Sequence, residues 1–180
     1  MSVFTFGETV IALRGTEPIR LGGSMDVSIA GAESGVAIGL ARLGHEVRWA
    51  GAVGDDEAGE LVLRTLRAEG VDVSAASRDS GAPTGLVLFE PRLPEPTRAH
   101  HYRAGSAGSR ITACSVAEAF SAAPPRVLYL TGIRSSPRPQ AGSTPSPLSA
   151  RRDAATGSLA AAAASATAAA TGGRGGPGLG

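Results

Sequence analysis

At Ile133 the chain changes character so abruptly that only the part before it can fold as an ordinary domain. From Arg134 to Gly180 it carries 13 Ala, 8 Gly, 7 Ser, 5 Pro and 4 Thr, with three Leu and no aromatic or β-branched aliphatic residue. Such a stretch cannot bury enough apolar surface to offset the entropy of ordering its backbone. Residues 134–180 are therefore expected to be a low-complexity, disordered tail, and residues 1–133 a folded domain. Charge divides at the same place. Before it, 12 Arg stand against 15 Asp and Glu, and after it 5 Arg stand against one Asp, so the formal charge of +1 sums two unlike parts. Ala160 to Ala170 has high helix propensity but no amphipathic face with which to dock.

The same counts exclude several classes of function. All 17 basic residues are Arg and Asn is absent, a bias that points to a GC-rich gene. In the first part the Arg residues are interleaved with acids, and seven aromatics are too few for base stacking, so no nucleic-acid partner is expected. A single cysteine, Cys114, rules out an internal disulfide and a Cys-based zinc site, and no metal site is assigned. The N-terminus lacks a basic region followed by an apolar one, and no apolar run reaches the roughly 18 residues of a membrane span. The expected location is the cytoplasm, with no membrane partner.

Local patterns before Ile133 alternate between strand and helix. Val3 to Phe6 and Val10 to Leu13 are β-rich apolar runs separated at Gly7-Glu8. From Gly31 onward Val36, Leu40 and Leu43 recur at helical spacing, and Gly44 supplies a C-terminal stop. Val47 to Val53 reads as a strand, Gly54-Asp55-Asp56 as the cap of a second helix bearing Leu61, Leu63 and Leu66, and Gly70 as its end. Thr84 to Glu90 and Ala99 to Arg103 read as strands around a Pro-rich turn at Pro91 to Pro96. Ser115 is the expected N-cap of a short helix, with Glu118 three residues on, and Val127 to Leu130 is a last strand. This order predicts an α/β layer. Ligands in open α/β sheets gather at the carboxyl ends of strands, which makes Gly7, Glu8, Gly31, Thr131 and Gly132 candidate site positions.

Two ordered stretches then add a resemblance. Ala30-Gly31-Ala32-Glu33-Ser34-Gly35-Val36-Ala37-Ile38-Gly39-Leu40-Ala41-Arg42-Leu43-Gly44 and Val53-Gly54-Asp55-Asp56-Glu57-Ala58-Gly59 resemble the first signature of the PfkB/ribokinase family of sugar kinases. Gly7-Glu8 and Tyr102-Arg103-Ala104-Gly105-Ser106-Ala107-Gly108-Ser109 most resemble the 2-keto-3-deoxygluconate kinases within it. The resemblance spans about Val3 to Ile133, less than half of a typical member. It implies a ribokinase-like α/β fold, C-terminally truncated here, with a mostly parallel central sheet, flanking helices and a small β lid that takes in Leu21-Gly22-Gly23 and the strands from Thr84 to Tyr102. It also implies a small-molecule sugar acid as partner, a homodimer formed through the lid, and Gly31, Ala32, Glu33, Gly35, His101, Tyr102 and Arg103 at the substrate. Gly35 stands where the family has an Asn that hydrogen-bonds sugar hydroxyls, and His101 where the sugar-acid kinases commonly have Tyr. A guanidinium at Arg103 suits a sugar-acid carboxylate, which it can hold through two parallel charge-assisted hydrogen bonds. Each residue also has an ordinary reading: Glu33 as an acid favoured by a helix dipole, Arg103 as a lid salt bridge, Tyr102 as lid packing, Gly31 as a packing glycine.

The family reaction transfers the γ-phosphate of ATP, with Mg2+, to a sugar hydroxyl, and its base is the Asp of a C-terminal Gly-Ala-Gly-Asp motif. This sequence contains no such motif, and Gly172 to Gly180 has neither the Asp nor a following helix. No residue is therefore assigned a catalytic, nucleotide-binding or metal-binding role, and the chain alone is expected to be an inactive fragment of an ATP-dependent sugar-acid kinase. The alternative is a non-catalytic sugar-acid-binding or dimerising module. Where the family continues with Pro-Ala-Leu, this chain reads Arg134-Ser135-Ser136-Pro137-Arg138-Pro139-Gln140. One back-translation of that segment, CGC TCC AGC CCT CGC CCG CAG, gives Ala-Pro-Ala-Leu-Ala-Arg one base forward, so the tail is expected to be out of frame.

Overall fold

The computed structural model describes residues 1–91, 97–122 and 124–131. The expected tail, Gly132 and most of the Pro-rich turn lie outside them. In chain order the elements are β1 (Ser2–Phe6), β2 (Val10–Gly15), β3 (Met25–Ala30), α1 (Ala32–Arg42), β4 (Glu46–Ala50), β5 (Ala52–Gly54), α2 (Glu57–Ala68), β6 (Ser77–Asp79), β7 (Leu86–Glu90), β8 (Arg98–Tyr102), a 3-10 turn (Ala107–Arg110), α3 (Ala113–Ala122) and β9 (Val127–Tyr129).

β1 is the centre of a parallel sheet ordered β4-β1-β9, and its residues Val3 to Phe6 are all buried. Burial on both faces is the reason apolar residues, Val3, Phe4 and Phe6, fall on both of its faces, with Thr5 the one polar residue among them. A second sheet, ordered β3-β2-β7-β8, is antiparallel at both edges and parallel between β2 and β7. The core packs Val3, Val47, Trp49, Val53 and Val71 against Val62, Leu63 and Leu66 of α2. These α2 residues share one helix face, and Gly70 ends the helix with φ 79°, a left-handed conformation that glycine adopts without strain.

The structure departs from the sequence expectations in four places. The expected strand Val47 to Val53 is two strands: β4 pairs with β1, whereas β5 pairs with β6 in a separate parallel pair. The break falls at Gly51, where the Trp49 ring lies so close that a Cβ would not fit. The buried face of α1 is centred on Glu33, Ser34 and Ala37, while Leu43, expected on the apolar stripe, is 73% exposed. The third helix begins earlier than expected. Thr112 Oγ1 accepts from the Ser115 amide at 3.3 Å, so Thr112 takes the capping role and Ser115 returns a hydrogen bond to the Thr112 carbonyl. Finally, β3 and β6 were not anticipated. β3 alternates Met25, Val27 and Ile29 with Asp26 and Ser28, a period-two signal diluted by its wide exposure.

Candidate functional site

The chain leaves β1 in one sheet and enters β2 in the other through Gly7, Glu8 and Thr9, all of them buried. Glu8 has 4% of its side chain exposed, and both carboxylate oxygens are engaged. Oε2 accepts from Arg103 Nε at 2.6 Å and Oε1 from Ser106 Oγ at 2.5 Å. Ser106 Oγ also accepts from the Ser109 amide at 3.2 Å, which caps the 3-10 turn. Backbone closes tightly around this carboxylate: a Cβ on Gly108 would lie 2.4 Å from Glu8 Cγ, and one on Gly85 2.8 Å from Oε1. Two glycines thus shape a slot that fits Glu8 and admits no further side-chain atoms.

A second carboxylate, Glu33, is buried in the first turn of α1 and accepts a hydrogen bond from Thr131 Oγ1, two residues past β9. Gly7 lies against it, since a Cβ at that position would meet Glu33 Cδ at 2.4 Å. Gly31 joins the two groups. It is the N-cap of α1 without a side-chain cap, and a Cβ there would meet Ser34 Oγ at 2.5 Å, the Glu8 carbonyl at 2.9 Å and Thr9 Oγ1 at 3.1 Å. Thr9 Oγ1 is buried and has no hydrogen-bond partner among the described residues. Buried hydroxyls usually find a partner, so this one is an exception, enclosed beside the α1 N-terminus.

Gly7, Glu8, Gly31, Glu33, Arg103 and Thr131 are thereby linked by contact at the carboxyl ends of β1 and β9. Ala32 is half-buried in the same helical turn. Gly35 is exposed, with nothing within 4 Å of the place a Cβ would take. His101 and Tyr102 are both exposed on β8, in register with Val87 and Leu86, and the structure records no contact from them to the Glu8 or Glu33 groups. Gly132 lies outside the described residues. Sequence reasoning missed the roles of Ser106, Gly108, Thr9 and Gly85. Ser106 and Gly108 sit in the Gly-Ser-Ala-Gly-Ser segment that already stood out, whereas nothing local marks Gly85 or Thr9.

Asp56 forms a separate polar centre. Its Oδ1 accepts from the Gly59 amide and from Thr84 Oγ1, both at 2.7 Å, and its Oδ2 from the Thr84 amide at 2.9 Å. Burial pushes its carboxyl pKa up, but the hydrogen bonds from Thr84 and Gly59 outweigh this and hold it below the ordinary carboxylate range. Of the expected capping pair, Asp56 caps α2, while Asp55 faces Arg78 at 3.8 Å.

The profile of the pfkB family carbohydrate kinases matches residues 1–123. The chain belongs to that family. It is 40% identical over 118 residues to a 2-dehydro-3-deoxygluconokinase of Bacillus subtilis (strain 168), a match covering 62% of this chain and 36% of that protein. A crystal structure of a PfkB protein from Polaromonas sp. JS666 superposes with a TM-score of 0.66 at 33% identity, over 75% of this chain and 46% of the other. A sugar kinase from Pyrococcus horikoshii solved in complex with ATP gives a TM-score of 0.57 at 26% identity, over 63% of this chain and 37% of that one. The fold is ribokinase-like, and the chain spans about a third of the length of the curated relative, as its 36% coverage shows. Among the described residues no helix is long and apolar enough to cross a membrane.

Proposed function

We propose that residues 1–133 hold the sugar of an ATP-dependent PfkB kinase that acts on a sugar acid of the 2-keto-3-deoxygluconate type, and that this 180-residue stretch binds that sugar without phosphorylating it. One observation carries the reading. Arg103 is anchored through Nε alone, and its side chain is still 31% exposed. Its two terminal amino groups, four N–H donors, make no ion pair or hydrogen bond among the described residues, so the guanidinium can hold a second carboxylate. The charged slot lies next to Gly31 at the α1 N-terminus, where backbone amides offer donors to sugar oxygens.

In-line phosphoryl transfer needs a base at the acceptor hydroxyl and positive groups around the transferring phosphate. Glu8 and Glu33 already accept hydrogen bonds from protein donors, and no cluster of three or more His, Cys, Asp or Glu that could hold a metal forms among the described residues. What these residues do is orient: Arg103 fixes the carboxylate end of the sugar, and the backbone at Gly31 meets its hydroxyls.

Titration calorimetry of the 180-residue chain with 2-keto-3-deoxygluconate and with neutral D-fructose tests the reading, together with a coupled assay for ADP. The expected result is binding of the acid in preference to the neutral ketose, with no ADP formed. Replacing Arg103 with Ala should weaken acid binding about tenfold to a hundredfold, as loss of a charge-assisted contact does. Equal binding of both sugars, or ATP-dependent turnover that Arg103→Ala abolishes, would overturn it.

A further inference from the structure

We propose that Glu8, held by Ser106, is a positioning residue for Arg103, so that preference for a sugar acid is set in part by a buried carboxylate that never touches the sugar. This rests on the reading of Arg103 as the group that holds the sugar carboxylate. The geometry that supports it is the division of the Glu8 oxygens. One is given wholly to Arg103 Nε at 2.6 Å and the other to Ser106 Oγ at 2.5 Å, which prevents the carboxylate from swinging to a bidentate grip. Glu8 itself cannot shift, because the backbone of Gly108 and Gly85 closes on its Cγ and Oε1. A free arginine side chain samples many rotamers, and fixing Nε leaves the guanidinium plane in one orientation. The edge carrying the two terminal amino groups is then the one presented to an incoming carboxylate.

The loop that carries Arg103 is built around the same carboxylate. The Ser106 amide donates to the Arg103 carbonyl at 3.1 Å, and Gly105 between them has φ 79°, so the chain folds back to bring both side chains to Glu8. Arg103 and Ser106 are three residues apart, whereas Glu8 lies 95 and 98 residues away from them. An ion pair that served only to offset the charge of Arg103 would not require the second, charge-free partner at Ser106. That partner fixes direction, which is what bidentate recognition needs.

The test uses the full 180-residue chain, with 2-keto-3-deoxygluconate and D-fructose as probes, and reads both sugar affinity and the Arg103 Nε–H signal by NMR. In the ligand-free chain that signal should be resolved and slow to exchange. Glu8→Ala should abolish the protection and weaken acid binding about threefold to tenfold with D-fructose binding unchanged, the penalty for immobilising a long side chain on binding. Glu8→Gln, which keeps an acceptor for Nε, should restore most of the acid affinity. In an Arg103→Ala background Glu8→Ala should cause no further loss. If Glu8→Ala fails to fold, Ser106→Ala releases one oxygen of the same carboxylate and should give the same selective loss. Equal weakening of acid and neutral sugar, or unchanged acid binding in Glu8→Ala while Arg103→Ala removes the preference, would overturn the positioning role. If Arg103→Ala leaves the preference intact although its Nε–H is protected, the carboxylate reading of Arg103 fails, and this inference with it.

Discussion

Removing the Asp56 carboxylate should destabilise the chain by a predictable amount. The side chain caps the start of α2 by accepting from the Gly59 amide and also receives the Thr84 amide and hydroxyl, so it fastens the start of α2 to the residues just before β7. In Asp56→Ala the cap is lost, which typically costs about 1 kcal/mol. The half-buried Thr84 amide is left without its acceptor at 2.9 Å, which costs about a further 1–3 kcal/mol. Water reaches this half-buried site, so the sum is expected in the lower half of the range, at about 2–3 kcal/mol. The Thr84 hydroxyl keeps the Gly54 amide as a donor at 2.9 Å and adds little. Urea unfolding followed by circular dichroism at pH 7 reads the difference as a midpoint shift, since slopes for such domains are about 1–3 kcal/mol per molar. The pH dependence has a definite sign. The folded carboxyl sits below its unfolded value of about 3.9, so as pH falls the unfolded chain takes up the proton first. The stabilisation is whole above about pH 4 and disappears as the pH drops through the lower folded value. The gap between the parent chain and Asp56→Asn should therefore close on acidification. A loss below about 0.5 kcal/mol in Asp56→Ala, or a gap that widens toward acid, would refute this account of the cap.

Three further outcomes follow from particular contacts. Gly7→Ala would place a Cβ 2.4 Å from Glu33 Cδ, so it should cost about 1–3 kcal/mol in thermal unfolding, and a neutral result would show that Glu33 is free to move. Trp49 is fully buried and its indole N–H has no partner among the described residues, so Trp49→Phe should cost less than about 1.5 kcal/mol and Trp49→Ala about 3–5 kcal/mol. Similar losses in the two Trp49 variants would contradict that assignment. The coding DNA after codon 133, read one base forward, should encode further β/α units and a Gly-Ala-Gly-Asp motif; confirmed DNA without such an open frame would sink the frame-shift reading of residues 134–180.

Short-range signals were enough for much of the fold. The apolar run at Val3 to Phe6, the Leu63 and Leu66 spacing of α2 and the Gly-Asp-Asp cap are each determined within a dozen residues, because strand burial, helical period and capping are local effects. The ordered Gly31 to Gly44 segment also carried the family. What the sequence could not show is which face of α1 turns inward, where the strand after His45 breaks, and who partners whom at the site. The break at Gly51 separates strands that pair with distant partners, β4 with β1 and β5 with β6, and the α1 residue Glu33 meets Thr131 from 98 residues away. Arg103 reads equally well in sequence as a sugar ligand or a lid salt bridge, since its partner Glu8 is 95 residues distant. That pairing exists because β1 and β2 belong to different sheets, so the chain between them buries Glu8 where the loop after β8 returns, and only the tertiary arrangement of the two sheets brings those segments within hydrogen-bond reach.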